Sequence, residues 1–200
     1  MEDSYLTIAE PVKNEIKVQR SKFIAYGFPI DSQEKFHEVL DNIRKDYFDA
    51  SHFPFAYRLG VSGNDLRYSD DGEPSGSGGK PVMDVIDKFG VTDAGIVVVR
   101  YFGGVKLGVG GLRRAFFEAA EECMKLAKIR EVLITDSISL EADYNQMSVI
   151  MNVLERYAAG IVNNNSDEKV KLDICIRSSL AEKLKSELTD LTSGNIIIKR

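Results

Sequence analysis

The residues best suited to chemistry lie in a glycine-rich, basic segment, RYFGGVKLGVGGLRR, which spans residues 100–114. Five glycines and four cationic side chains occur there without a carboxylate among them. The segment follows an apolar run typical of a buried strand, GIVVV, and precedes a sequence with helical periodicity. A strand, a glycine-rich turn and a helix can together aim free backbone amides at an anion. The residues predicted to form an anion-binding site are Arg100, Gly103, Gly104, Lys106, Gly108, Gly110, Gly111, Arg113 and Arg114.

This segment matches neither of the common nucleotide-binding motifs. Its glycine spacing differs from G-x-x-x-x-G-K-[ST] and from G-x-G-x-x-G after a first βα unit, which excludes the Walker and Rossmann interpretations. Two interpretations remain: a site for a phosphate or an RNA backbone, or a tight turn whose arginines are merely solvated. The lack of carboxylates favours binding, because glycines alone explain a turn but not a purely cationic segment. Arg113 and Arg114 are adjacent on the helix, so we expect one of them to face away from the site.

A second unusual segment, DDGEPSGSGGKP, spans residues 70–81. Its three carboxylates could hold Mg²⁺ against a phosphate. The favoured alternative is that they order the loop, by accepting hydrogen bonds from the amides of residues 75–79 or by pairing with Arg58 or Lys80. The loop residues predicted to contribute to the site are Asp70, Asp71, Gly72, Glu73, Ser75, Gly76, Ser77 and Lys80.

Enzymatic chemistry has weaker support in the sequence. Ser75 and Ser77 could act as nucleophiles only beside a base, and His52, the one candidate, begins a strand at a distance along the chain. The two histidines and two cysteines lack the spacing of a zinc site. The sequence therefore predicts no catalytic residue, no metal and no cofactor.

Composition limits the classes of function. The chain has 200 residues and a net charge of −5, so any binding to nucleic acid or an anionic membrane must come from a local patch. Cys123 and Cys175 are expected to be reduced and mostly buried. The N-terminus lacks signal-peptide features, and no apolar run is long enough to cross a membrane, so we expect a soluble cytoplasmic protein without a membrane partner. The sequence leaves the oligomeric state open.

Alternation and helical periodicity predict the elements of the first 134 residues. Strands are expected at Tyr5–Glu10, Glu15–Arg20, Phe23–Ile30, His52–Val61 and Gly95–Val99, and helices after Asp31–Ser32, from Pro81 to Gly90 and from Gly111 to Ile129. Residues 62–80 are expected to form a loop without regular structure, of the length that usually carries function.

The last 66 residues have a different pattern. Strands at Ser137–Ala142, Gly160–Asn163, Lys169–Arg177 and Asn195–Lys199 alternate with helices at Asn145–Tyr157 and Ser179–Leu191, with Ser178–Ser179 as the expected cap of the last helix. This order, βαββαβ, is the ferredoxin-like motif. The sequence thus predicts an α+β protein of two domains, residues 1–134 and 135–200.

The segments KFIAYGFPI, ASHFPFAYRLG, DDGEPSGSGGKPV and VVVRYFGGVKLGVGGLRRAF together resemble the IMPACT/YigZ family over residues 15–127. The resemblance implies an N-terminal domain similar to the second domain of a small-subunit ribosomal protein and to the N-terminal domain of GHMP kinases. It implies a C-terminal domain similar in fold to the last domain of elongation factor G. Eukaryotic members of the family are similar to translation regulators that bind a ribosome-associated activator of a kinase.

Two positions depart from the family pattern. Gly76–Ser77–Gly78–Gly79 stands where the family usually has G-T-A-G, a change that keeps a hydroxyl and small residues. His52–Phe53–Pro54 stands where the family often has His-Asn-Cys, so a cysteine-based activity at Pro54 is excluded. The resemblance implies no enzymatic activity.

Three functional hypotheses follow from the sequence. The first is a non-enzymatic translation or stress factor that binds the ribosome, RNA or a translation protein through the face built by the two loops. The second is an enzyme or binding protein for a phosphorylated small molecule, with Asp70, Asp71 or Glu73 as acid, base or Mg²⁺ ligand. The third is an adaptor that binds a protein and uses both loops only for packing.

Overall fold

The computed structural model describes residues 3–199 and contains two compact units. One unit comprises residues 5–132, and the other comprises residues 133–199 together with Asp3 and Ser4. The sequence-based division after residue 134 therefore differs from this one by two residues and in the placement of the N-terminal segment. Neither unit contains a helix with the length and hydropathy that spanning a membrane requires, within residues 3–199.

The N-terminal unit is built on a five-stranded antiparallel sheet with the order β2-β3-β6-β4-β5. A separate two-stranded sheet pairs β1 with β7. The elements are β1 (Ser4–Ile8), β2 (Val12–Val18), β3 (Ser21–Pro29), α1 (Gln33–Asp46), β4 (Phe55–Leu59), β5 (Asp65–Ser69), α2 (Gly79–Phe89), β6 (Ala94–Tyr101), α3 (Gly108–Leu126) and β7 (Ile129–Leu133).

The central strand β6 is buried along nearly its whole length, as its run of branched apolar residues predicts. Its alternate side chains enter two cores. Val97 and Val99 join a cluster with the apolar face of α1, whereas Ile96 and Val98 join a cluster with α2 and α3. The sheet is therefore covered by helices on both faces, and the loops that follow β5 and β6 lie beside the helices they introduce.

Local signals explain where the helices begin and end. Ser32 caps α1, its hydroxyl accepting a hydrogen bond from the amide of Lys35 at 3.3 Å. Gly90 ends α2 with a positive φ of 63°. The sequence predicts both positions, with one helix after Asp31–Ser32 and another that ends at Gly90.

Two predicted elements of this unit are wrong. Residues 62–80 are not a continuous loop, because Asp65–Ser69 forms the edge strand β5 against β4. The helix predicted to reach Ile129 ends at Leu126, and Ile129–Leu133 pairs with the first strand of the chain. Both missed strands carry mostly exposed side chains, so their sequences lack the apolar alternation that marks a half-buried strand.

The C-terminal unit has a four-stranded antiparallel sheet with the order β11-β8-β10-β9. Its elements are β8 (Thr135–Ala142), a 3₁₀ turn (Tyr144–Gln146), α4 (Met147–Arg156), β9 (Gly160–Asn164), β10 (Val170–Arg177), α5 (Ser178–Leu191) and β11 (Ile196–Lys199). The predicted α+β fold class and the βαββαβ order are confirmed.

The expected cap of α5 is wrong: the carboxylate of Asp3 accepts hydrogen bonds from the amide and the hydroxyl of Ser179.

The two cysteines form no disulfide. Cys123 is fully buried on α3, and this burial raises the pKa of its thiol to about 11. Cys175 is only half-buried, which corrects the expectation of burial for the second cysteine.

Candidate functional site

Asp70 orders the loop between β5 and α2. One carboxylate oxygen accepts hydrogen bonds from the amides of Gly78 and Gly79, both at 2.9 Å, and the other accepts one from Gly76 at 2.8 Å. These amides include the N-terminal ones of α2, which have no partner within the helix. Asp70 therefore caps the N-terminus of α2, although it lies several residues before the helix begins.

Asp71 ties the same loop to α1 and to the segment before β4. Its carboxylate accepts a hydrogen bond from Arg44 at 2.8 Å and another from the amide of Phe53 at 2.7 Å. Its backbone carbonyl oxygen lies 2.8 Å from Nδ1 of His52. Asp71 has a positive φ of 44°, an uncommon conformation that Asp tolerates better than most residues. Gly72 follows with a φ of 87°, and a Cβ there would lie 2.9 Å from the His52 ring.

Glu73 is held by the arginine that ends the buried part of β6. Both of its carboxylate oxygens lie 2.5–2.6 Å from Nη1 of Arg100. The two side chains are 2% and 8% exposed, so the ion pair is buried. The pair fixes the acidic loop to the strand that leads into the glycine-rich segment.

The expectation that these carboxylates order the loop through amides and cations is confirmed, but the predicted cations are wrong. Arg58 pairs with Asp87, and Lys80 pairs with Asp84 at 2.7 Å. The actual partners, Arg44 and Arg100, come from distant elements that only the tertiary fold brings to the loop.

Replacing Asp71 by alanine is expected to lower the free energy of unfolding by about 1–3 kcal/mol, because the buried amide of Phe53 loses its acceptor and Arg44 loses its counter-charge. Thermal or urea denaturation measures the change. An unchanged stability combined with a loss of ligand binding would instead assign Asp71 a direct functional role.

The remaining loop residues give little support to nucleophilic chemistry. The hydroxyl of Ser77 is buried and donates to the carbonyl of Pro74 at 2.6 Å, while Ser75 is exposed. Among the described residues, neither serine hydrogen bonds to His52. Within residues 3–199, no group of three or more His, Cys, Asp or Glu side chains is arranged to hold a metal ion.

In the glycine-rich segment, Gly103 is required by packing. A Cβ on Gly103 would lie 2.1 Å from the carbonyl carbon of Arg20, and its amide donates to the hydroxyl of Ser21 at 3.2 Å. Gly104 and Gly108 have positive φ values of 82° and 68°. Helix α3 begins at Gly108, three residues earlier than predicted.

The glycines in the first turn of α3 differ from Gly103. A Cβ on Gly110 would meet no atom within 4 Å, and Gly110 does not have a positive φ. A Cβ on Gly111 would approach only Leu107, at 3.1 Å. The fold therefore does not require glycine at position 110, which leaves the close approach of a ligand as a reason for it.

Alanine substitutions separate these two kinds of glycine. Gly103→Ala is expected to lower the free energy of unfolding by about 1–3 kcal/mol through overpacking, whereas Gly110→Ala should raise it by about 0.5–1 kcal/mol by improving helix propensity. Urea denaturation of both variants tests this. Equal effects would contradict the assignment of Gly103 to packing and of Gly110 to an open surface.

The two loops meet at one cleft, with a volume of about 530 Å³. Its walls come from the acidic loop (Glu73, Pro74), the end of β6 (Arg100, Phe102), the preceding segment (Ser51, His52) and the start of α3 with the turn before it (residues 106–109 and Leu112). This volume falls in the range typical of ligand sites. The structure therefore brings both loops to one face, as the sequence predicts.

Charge and hydrogen-bonding capacity in the cleft favour an anion. No side chain of the described residues caps α3, its first turn holds no acidic residue, and the amides of Val109 and Gly110 have no acceptor there. Lys106 is exposed and forms no ion pair with a described residue. The one carboxylate that lines the cleft, Glu73, is neutralised by Arg100.

Not all of the predicted cations lie in the cleft. Arg113 and Arg114 are both exposed and line a different groove, of about 420 Å³, together with Pro81, Asp84 and Glu118. We expected one of the two arginines to face away from the site, whereas both lie outside the cleft. Arg100 is present, but its charge is already matched by Glu73.

Two exposed apolar residues that are not among the predicted site residues also line the cleft. Phe102 is 49% exposed and Val109 is 52% exposed, and both line the cleft. Alternation along β6 places Tyr101 and Phe102 on opposite sides, which identifies one of them as exposed at the loop but does not identify which.

Comparison with known proteins identifies the family of the chain. The profile of the Impact N-terminal domain matches residues 19–124, which include both loops and every residue that lines the cleft. The chain belongs to the IMPACT family. Residues 140–195 match a domain of unknown function, DUF1949, in the C-terminal unit of this IMPACT-family chain.

Bacterial relatives span nearly the whole IMPACT-family chain. The IMPACT family member YvyE of Bacillus subtilis is 31% identical over 98% of this chain and 90% of its own length. The IMPACT family member YigZ of Escherichia coli is 29% identical over 97% of this chain and 96% of its own. A crystal structure titled as that of a hypothetical protein superposes with a TM-score of 0.72 at 27% identity, covering 99% of this chain and 97% of the other.

Proposed function

We propose that this IMPACT-family protein is a non-enzymatic regulatory factor of translation that binds RNA, free or within the ribosome, through the cleft. The observation that carries the proposal is the uncapped start of α3, which opens into the cleft beside the unpaired Lys106. Free amides and the helix dipole favour a phosphate there, and a lysine adds a charge-assisted hydrogen bond.

The exposed ring of Phe102 favours RNA over inorganic phosphate. It lines the same cleft, with the Arg100 guanidinium 5.5 Å from its ring centre, and a base could stack on its exposed part while the adjoining phosphate binds at α3. Arg100 also lines the cleft; only its Nη1 bonds Glu73, and its buried Nε has no partner among the described residues. Ser77 and the carboxylates of the acidic loop already form hydrogen bonds or ion pairs within the protein, which supports a binding role over catalysis.

A binding protein for a phosphorylated small molecule is the second candidate, favoured by the volume of the cleft. Mononucleotides distinguish the two, because the second candidate predicts that they saturate the cleft and that longer RNA adds no affinity.

Fluorescence anisotropy with a labelled single-stranded RNA, and co-sedimentation with ribosomes at low and moderate salt, test the proposal. We expect salt-dependent binding that Lys106→Ala weakens, with the slope of log K against log salt reduced by about 0.7 for the one lost phosphate contact. Lys183→Ala is the matched control, since Lys183 is an exposed lysine on α5 that forms no ion pair with a described residue. Absence of RNA and ribosome binding at low salt, or equal effects of the two variants, would contradict the proposal.

A further inference from the structure

The hairpin formed by β2 and β3 ends in three cations, Lys17, Arg20 and Lys22, here called the hairpin cluster. Lys17 and Lys22 are directly opposed in the antiparallel register, so their side chains share one face of the sheet. Like charges at directly opposed positions destabilise a sheet. Among the described residues, none of the three cations forms an ion pair, and Lys22 instead lies 4.5 Å from the centre of the Tyr101 ring.

The turn of this hairpin is strained at the same place. Gln19 and Arg20 form its two-residue turn, with positive φ values of 45° and 69°. Such turns favour Asn-Gly, because only glycine adopts these angles without steric cost. A like-charge pair and a strained cationic turn therefore coincide within six residues, and local rules broken together are typical of functional surfaces.

The hairpin cluster lies next to the glycine-rich segment, at the same end of β6 as the cleft. Gly103 packs against the carbonyl of Arg20, which joins the hairpin tip to the glycine-rich segment. Arg100 and Tyr101 are consecutive on β6, opposite Phe23 and Lys22 respectively, and so face opposite sides of the sheet. The end of β6 thus has the cleft on one side and the hairpin cluster on the other.

We infer that the hairpin cluster binds the phosphodiester backbone of a single-stranded RNA whose adjoining nucleotides occupy the cleft, an inference that rests on the proposed function. A phosphate between Lys17 and Lys22 relieves their repulsion, and Arg20 offers a second contact with planar, bidentate geometry. A path around the end of the sheet suits a flexible single strand and excludes a stiff duplex. Glu15, on the same face of β2, pairs with none of these cations.

Oligouridines of about four and about twelve nucleotides distinguish binding at the cleft alone from binding at the cleft and the hairpin cluster together. Known single-strand sites span about 4–16 nucleotides. Fluorescence anisotropy should show that the longer RNA binds wild-type protein more tightly. The double variant Lys17→Ala/Lys22→Ala should weaken binding of the longer RNA by about tenfold, lower its salt slope by about 1.4, and leave the shorter RNA unaffected. Lys183→Ala/Lys185→Ala removes the same charge from α5 and should change neither.

The turn provides a further pair of variants. Arg20→Gly should raise the melting temperature by relieving strain and yet weaken binding of the longer RNA, whereas Gln19→Gly should raise the melting temperature and leave the affinity unchanged. A purely structural turn would give equal affinities for both variants.

The inference is overturned if the longer RNA binds the Lys17→Ala/Lys22→Ala variant as it binds wild type. The proposed function fails separately if that double variant weakens binding while Lys106→Ala has no effect on either RNA, because the hairpin cluster then binds without the cleft. If wild-type protein binds neither RNA, both fail together.

Discussion

Replacing Arg100 by methionine is expected to lower the free energy of unfolding by about 3–5 kcal/mol, the cost of leaving a buried charge without its partner. Glu73 is 2% exposed, and both of its oxygens bond Arg100, which is the one cation that the structure places against it among the described residues. Methionine fills part of the space over Phe23 but offers no donor. Urea denaturation of the wild type and the variant measures the loss.

Two further variants test whether the lost stability comes from the unpaired charge of Glu73. The double variant Arg100→Met/Glu73→Met should recover most of the stability, because removing both charges is far less costly than removing one. Lys35→Met, which breaks an exposed ion pair with Glu38, should change stability by less than about 1 kcal/mol. A loss below about 1 kcal/mol for Arg100→Met alone would show that the ion pair does not hold the acidic loop.

The C-terminal unit was predictable from the sequence because three of its strands, β8, β10 and β11, direct alternate side chains into the core. Strand β10, VKLDICIR, alternates buried and half-buried side chains along its length, and α5 has a regular apolar stripe. Such periodicities reflect one-sided burial directly. The N-terminal strands β5 and β7 carry mostly exposed side chains and pair with β4 and β1 respectively, so their sequences lack the apolar alternation that identifies a strand.

The sequence predicts which types of residue form the site, but it does not predict which cations pair with the carboxylates of the acidic loop. The convergence of the two loops follows from their positions beside neighbouring elements, yet Arg44 and Arg100 reach the acidic loop only through tertiary contacts. One signal was available: Arg100 lies two residues after Val98 on a strand buried on both faces. An arginine at that position must be buried, and a buried arginine requires a carboxylate partner.

Substituting aspartate for Val109 is expected to separate stability from binding at the cleft. Val109 lies in the uncapped first turn of α3 and is 52% exposed, so the new carboxylate meets no packing obstacle. Its negative charge suits the helix dipole, and the melting temperature should stay unchanged or rise, in line with about 0.3–1 kcal/mol of stabilisation. The same charge occupies the position proposed for a phosphate.

Val109→Asn is the matched control, because it has nearly the same shape without the charge. RNA affinity should be close to that of the wild type for Val109→Asn and at least about tenfold weaker for Val109→Asp at low salt, since juxtaposed like charges are strongly unfavourable.

The most direct test of the account is therefore the affinity of Val109→Asp for single-stranded RNA, measured by fluorescence anisotropy at low salt together with its melting temperature. The account predicts a loss of binding of at least about tenfold in a protein at least as stable as the wild type. Wild-type affinity in a stably folded Val109→Asp variant would contradict it, because a phosphate at the start of α3 could not then be what the cleft binds.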